Sequence, residues 1–153
     1  MAEAKEKPLK EETTTKKVTK GKKKFYAGTG RRKESVARVW LYDEKGEFTV
    51  NGKPIKEYFT SREETLEWVK PFHAIGISHP QSKFSASIKV HGGGKSGQLG
   101  AVRLGLARAL VELDSENKAV LRTAGLLTRD PRQVERKKPF FRKARKKPQY
   151  SKR

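Results

Sequence analysis

Half of this chain's positive charge excess sits in its last 22 residues, and that segment limits what can fold. Residues 132–153 carry 11 Lys and Arg against one acidic side chain. Like charges repel, and so few apolar groups cannot build a core, so the segment takes its shape from a partner. Residues 1–24 hold 9 basic and 4 acidic side chains, with a Thr- and Lys-rich stretch almost free of apolar residues. They read as a disordered Lys-rich extension. The foldable part is residues 25–131, where 17 basic and 12 acidic side chains lie nearer balance. With 33% hydrophobic content in 153 residues, one modest core is expected there and not two.

A formal charge of +20 calls for a polyanion. Lys and Arg strung along a flexible tail each approach a phosphate and release condensed counterions, giving affinity that falls steeply with salt. The tail cations Arg136, Lys137, Lys138, Arg142, Lys143, Arg145, Lys146 and Lys147 are candidates for this role. Phe140, Phe141 and Tyr150 interleave with them. These aromatics either dock on the chain's own domain or stack on unpaired bases. Pro139 and Pro148 favour an extended path.

Other chemistries find little support. The chain has no cysteine, and His73, His79 and His91 lack the close same-face spacing of a metal pair. The carboxylates fall in turns or beside lysines, as on a solvated face, and no catalytic set assembles. No apolar run approaches the roughly 20 residues that span a bilayer, and the N-terminus lacks a signal-like apolar stretch. We expect an intracellular protein with no cofactor, no metal, no membrane partner and no small-molecule substrate, and not an enzyme.

Periodicity sketches the domain. Ala37, Val39 and Leu41 alternate with Val36, Arg38 and Trp40 as a strand. Asp43-Glu44-Lys45-Gly46 then reads as a turn into Phe48-Thr49-Val50, which predicts a hairpin closed by Asn51-Gly52. Ser61-Arg62-Glu63-Glu64 has the pattern of a capping box, and a helix should run from it to Lys70 and stop before Pro71. Phe84, Ala86, Ile88 and Val90 give the cleanest strand. Leu99, Val102, Leu106, Ala109, Leu110 and Leu113 fall on one helical stripe. A last helix should start at Asp114 or Ser115 and end at Gly125, with Asp130-Pro131 closing the domain. The fold class is α+β, a single domain with a small mixed sheet and helices on one face. Trp40 and Trp68 read as packing residues.

Two glycine motifs bear on binding. Gly92-Gly93-Gly94-Lys95-Ser96 lies before a helix, but a nucleotide-binding loop needs glycine where Lys89 stands. It reads either as a plain turn or as amides, a helix dipole and Lys95 meeting an RNA phosphate. Gly28-Thr29-Gly30-Arg31-Arg32-Lys33 reads as a basic loop on RNA backbone, its glycines permitting close approach, or as a flexible lead into the first strand.

Taken in order, these motifs resemble ribosomal protein S-nine of bacterial small subunits. The resemblance covers about residues 25–153. It is carried by Tyr26-Ala27-Gly28-Thr29-Gly30-Arg31-Arg32-Lys33, the Val50-Asn51-Gly52-Lys53-Pro54 turn and Gly92-Gly93-Gly94 with Ser96-Gly97-Gln98. Leu127-Thr128-Arg129-Asp130-Pro131-Arg132 and terminal Ser151-Lys152-Arg153 extend it. It implies a fold like the second domain of ribosomal protein S-five, with the extended basic tail appended. It also implies a cytoplasmic ribosomal location in the small-subunit head, among neighbouring head proteins and on the 3′ major domain of 16S rRNA. Carried over by position, Arg31, Arg32, Lys33, Lys95, Arg129 and Arg132 would hold rRNA, and Lys152 and Arg153 would meet the peptidyl-site tRNA.

Overall fold

The computed structural model describes residues 24–152. The predicted extension over residues 1–24, all but Lys24, and the terminal Arg153 lie outside the described residues. Five strands form one mixed sheet: β1 (Tyr26–Arg32), β2 (Ser35–Tyr42), β3 (Phe48–Val50), β4 (Lys53–Pro54) and β5 (Ser85–His91). Their spatial order is β1-β2-β5-β3-β4, antiparallel throughout except for the parallel β3–β5 pair. The helices are α1 (Ile55–Tyr58), α2 (Arg62–Ala74), α3 (Lys95–Leu113) and α4 (Asn117–Thr123). This is the α+β arrangement expected from the sequence, with α3 laid on β1 and β2 and α2 packed beside it.

Strand alternation sets which face is covered. Ala37, Val39 and Leu41 on β2 and Ala86, Ile88 and Val90 on β5 are buried towards the helices. Phe48, Trp68, Phe72 and Phe84 fill the centre, with ring centroids 5.3 Å apart for Phe48–Trp68 and 5.6 Å for Phe48–Phe72. The α3 stripe is broader than the sequence pattern indicated. Ala101, Leu104 and Ala107 are buried as well, because α3 touches the sheet, α2 and α4.

Three expectations are corrected. The run Asp43-Glu44-Lys45-Gly46 does not close a hairpin, since β5 lies between β2 and β3. The hairpin is instead β1–β2, in register from Tyr26 opposite Leu41 to Arg32 opposite Ser35. Gly28, Thr29, Gly30, Arg31 and Arg32 are therefore strand, not a basic loop. The two glycines do serve close approach, but to α3. A Cβ at Gly28 would lie 2.1 Å from the Gly105 oxygen, and one at Gly30 only 1.9 Å from that of Ala101. Thirdly, α2 runs through Pro71 to Ala74. The ring removes one amide donor from the helix, yet Pro71 is itself buried, and the extra turn carries Phe72 into the core.

Local chemistry shapes several other element boundaries. Asn51 and Gly52, at φ of 50° and 84°, make the two-residue β3–β4 turn. The Asn51 side chain also accepts from the Val90 amide at 2.9 Å and donates to its carbonyl at 3.0 Å. The Glu64 carboxylate accepts from the Ser61 amide at 3.2 Å, the returning half of the capping box. Past α4, Gly125 at φ 70° allows its own amide to reach Arg122 and that of Leu126 to reach Leu121. This is a Schellman closure, and it turns the chain back to the body.

Candidate nucleic-acid interface

The β1–β2 turn, the glycine run before α3 and the start of the tail meet at one corner of the molecule. Lys33 and Glu34 form the turn, with Lys33 at φ 51°. Gly92 and Gly93 adopt φ of 73° and 58°, and neither tolerates a side chain. A Cβ would approach the Glu34 oxygen to 2.5 Å in the first case and Ser35 Oγ to 2.2 Å in the second. Ser35 is fully buried, and its hydroxyl donates to the Gly92 carbonyl at 3.1 Å. Gln98 donates to the same oxygen at 3.1 Å, while its own oxygen accepts from the Tyr58 hydroxyl at 2.7 Å. The glycine run is thus held rigidly on the β1–β2 hairpin.

That rigidity aims the start of α3 outward. Gly94 is its N-cap, with no side-chain cap and no acidic residue in the first turn. The first amides of a helix have no partner within it, and the dipole leaves them partly positive. Lys95, the first residue of α3, is exposed beside them. A cleft of about 250 Å³ opens at this corner, lined by Lys33, Glu34, Gly93, Gly94, Gln133 and Val134. A second of about 300 Å³ adjoins it, lined by Arg32, Lys33, Arg132, Gln133 and Val134.

One carboxylate organises the cations here. Arg32 Nη1 lies 2.8 Å from Asp130 Oδ2, with both side chains mostly buried. The Arg32 stem packs where a side chain on Gly100 would otherwise sit. Arg132 reaches the same carboxylate through Nε at 3.0 Å and Nη2 at 2.7 Å, and its amide donates to Oδ1 at 3.0 Å. These hydrogen bonds from Arg132, with the charge of Arg32 added, hold the Asp130 carboxyl well below the usual carboxylate range. The sequence marks Asp130 only as the domain's end. Its neighbour Pro131 signalled a boundary, and nothing in the sequence signalled a clamp.

The predicted cations therefore divide. Lys33, Lys95, Arg129 and Arg132 are exposed at or beside this corner. Arg32 is turned to Asp130 and serves the body first. Arg31, one residue away on a strand, belongs to the opposite sheet face and is exposed there. Two further cations that the sequence reading did not select, Arg38 and Lys89, stand directly opposite each other on that face. Strand alternation was the signal that could have placed them.

From residue 126 to residue 152 there is no helix or strand. Arg136, Lys137, Lys138, Arg142, Lys143, Lys146, Lys147 and Lys152 are all exposed. Phe140 and Tyr150 are 95% and 90% exposed, so neither docks on the body. Lys138 sits over the Phe141 ring at 5.9 Å. The path bends once, where the amide of Phe141 donates to Lys138 and that of Arg142 to Lys146. Arg145 closes the bend by pairing with Glu135, its Nε 2.8 Å from Oε2.

Comparison with known proteins bears on this surface. The family model described as Ribosomal protein S9/S16 matches residues 30–153. The small ribosomal subunit protein uS9 of Gloeothece citriformis (strain PCC 7424) is 52% identical to the chain over 129 residues, spanning 84% of this chain and 92% of that relative.

Proposed function

We propose, from the premise that this chain belongs to the Ribosomal protein S9/S16 family, that its folded body seats on rRNA and its tail carries charge into RNA no globular surface could enter. The chain is a small-subunit ribosomal protein that acts in translation within the cytoplasmic ribosome, and its part is structural. The corner built by Lys33, Lys95, Arg129 and Arg132 holds phosphates of the 16S rRNA head, in its 3′ major domain, among neighbouring head proteins. Arg31 adds to this from the other sheet face, and Arg32 contributes mainly by fixing the tail's departure. Residues 132–153 form a separate functional segment. Arg136, Lys137, Lys138, Arg142, Lys143, Arg145, Lys146 and Lys147 track the rRNA backbone, and Lys152 and Arg153 meet the anticodon stem-loop of the peptidyl-site tRNA.

The observation that carries this reading is the exposed, strandless run from residue 132 to residue 152, whose cations outnumber its carboxylates by ten to one. Contacts of this kind hold position without reading sequence. Deleting Lys152 and Arg153 should weaken tRNA retention at the peptidyl site while subunits still assemble. Filter binding of tRNA to truncated subunits across a salt series tests it, and retention equal to full-length subunits at every salt concentration would exclude the tRNA role.

A further inference from the structure

The sheet face that no helix covers among the described residues has an unusual layout. Across it, Arg38 on β2 is flanked by Thr29 on β1 and Lys89 on β5. One row along, Trp40 is flanked by Ala27 and Ser87, and Ser87 by Thr49 on β3. An aromatic pair closes that end, with Phe25 edge-on to Tyr42 at 6.4 Å. The strand residues of this face include Arg31, Arg38 and Lys89 but no Asp or Glu. None of these three cations pairs with a carboxylate among the described residues.

Two features of this layout make poor sense for a face meant only for water. Like charges directly opposite on neighbouring strands destabilise a sheet. Arg38 and Lys89 stand so, with Lys89 leaning onto the Trp40 ring at 5.8 Å. An anion seated between them would turn that repulsion into attraction. The second feature is Trp40 itself, a large half-buried ring bordered by the small side chains of Ala27 and Ser87, with only the Lys89 ammonium over its face among the described residues. A cationic row beside an aromatic row matches a polymer that alternates phosphate and flat base, since stacking and phosphate contact then occur together.

We propose that this open face is a second RNA-docking surface, with Arg38 and Lys89 sharing a phosphate and Trp40 and Tyr42 receiving an unpaired base. The proposal rests on the ribosomal reading above and extends it to a face that the tail and the glycine corner do not use. It also revises the sequence-based view of Trp40 as packing alone.

Binding of the full chain to a 16S rRNA head-domain transcript, measured over a salt series, tests it. Arg38→Gln with Lys89→Gln should lower affinity about tenfold and flatten the salt dependence by about 0.7 in log–log slope, the share of the one single-strand phosphate they hold. The same double variant should melt no lower than the parent, because it removes a like-charge pair. Trp40→Leu should lower affinity several-fold with the slope unchanged. Ultraviolet cross-linking of assembled small subunits should join a nucleotide to Trp40 or Tyr42. Unchanged affinity and slope in the double variant, alongside a loss on deleting residues 132–153, would overturn this face and spare the tail. Cross-links from this face to a protein would overturn it in favour of a protein neighbour. If neither the double variant nor the tail deletion altered RNA binding, this proposal and the reading beneath it would both fail.

Discussion

A methyl group on Gly30 would overlap the Ala101 carbonyl, whereas one on Gly52 would meet open space at a φ of 84°. The two positions separate two reasons for glycine. Gly30→Ala must push α3 off β1, and overpacking of this kind destabilises by about 3 kcal/mol. Gly52→Ala strains only the turn, by about 1 kcal/mol. Urea denaturation of the two variants should rank them in that order, and equal midpoints would refute the close β1–α3 contact. Asn51→Ala should be intermediate, at about 2 kcal/mol, since it forfeits two side-chain hydrogen bonds to Val90. Asp130 supplies the residue-scale prediction on pH. Its carboxyl is held low by Arg132 first and Arg32 last, so its stabilisation is complete above the ordinary carboxylate range. It is lost only as pH falls through the depressed folded value. Intrinsic-rate-corrected hydrogen exchange at residues 126–134 should therefore be flat from about pH 5 to 8. A transition near pH 6 would mean that Asp130 is not the anchor.

Helices α2 and α3 are joined at their exposed margin by Glu67, which accepts from Arg103 Nη1 at 2.8 Å and also pairs with Lys70. Desolvation pushes the Glu67 carboxyl up, but the hydrogen bonds and charges of Lys70 and Arg103 outweigh it and leave it lowered. A lowered folded value stabilises above the ordinary range near 4.5 and stops doing so as pH falls below it. Glu67→Gln should cost about 0.5–1 kcal/mol at pH 7, the range of partly exposed ion pairs. The gap from the parent should close below pH 4 in thermal melts. At this scale the sequence was legible wherever burial follows a simple period. The strand at Phe84, Ala86, Ile88 and Val90 and the stripe of α3 are read directly, because each buries side chains on one face. β1 was illegible for the opposite reason: it packs through glycine backbone, so its pattern has no apolar alternation to detect. The mistaken β2–β3 hairpin shows a different limit. A turn between two strands is local, but which strand slips between them is decided by β5, far along the chain. Pro71 marks a third, since the burial of Phe72 outweighed a local rule.

On the scale of the molecule, the charge was the most readable property and its arrangement the least. Counting Lys and Arg located the tail, yet the gathering of Lys33, Lys95 and Arg132 at one corner depends on long-range pairing. Likewise, the ion pair that occupies Arg32 depends on Asp130. With no nucleic acid present, limited proteolysis should remove residues 132–153 while leaving a protected fragment over about residues 25–131. A protease-resistant tail would contradict the partner-dependent ordering. Deleting the same segment should flatten the salt dependence of rRNA binding by several units of slope, given its 11 cations. The bed of glycine and alanine on which β1 meets α3 has one more consequence, for the chain during its own synthesis. The first strand cannot seat until the long helix has emerged, because no earlier segment offers a backbone smooth enough to receive it. The cationic terminus is translated after that helix, so the stretch most prone to seize stray polyanions appears only when the body is ready to close behind it.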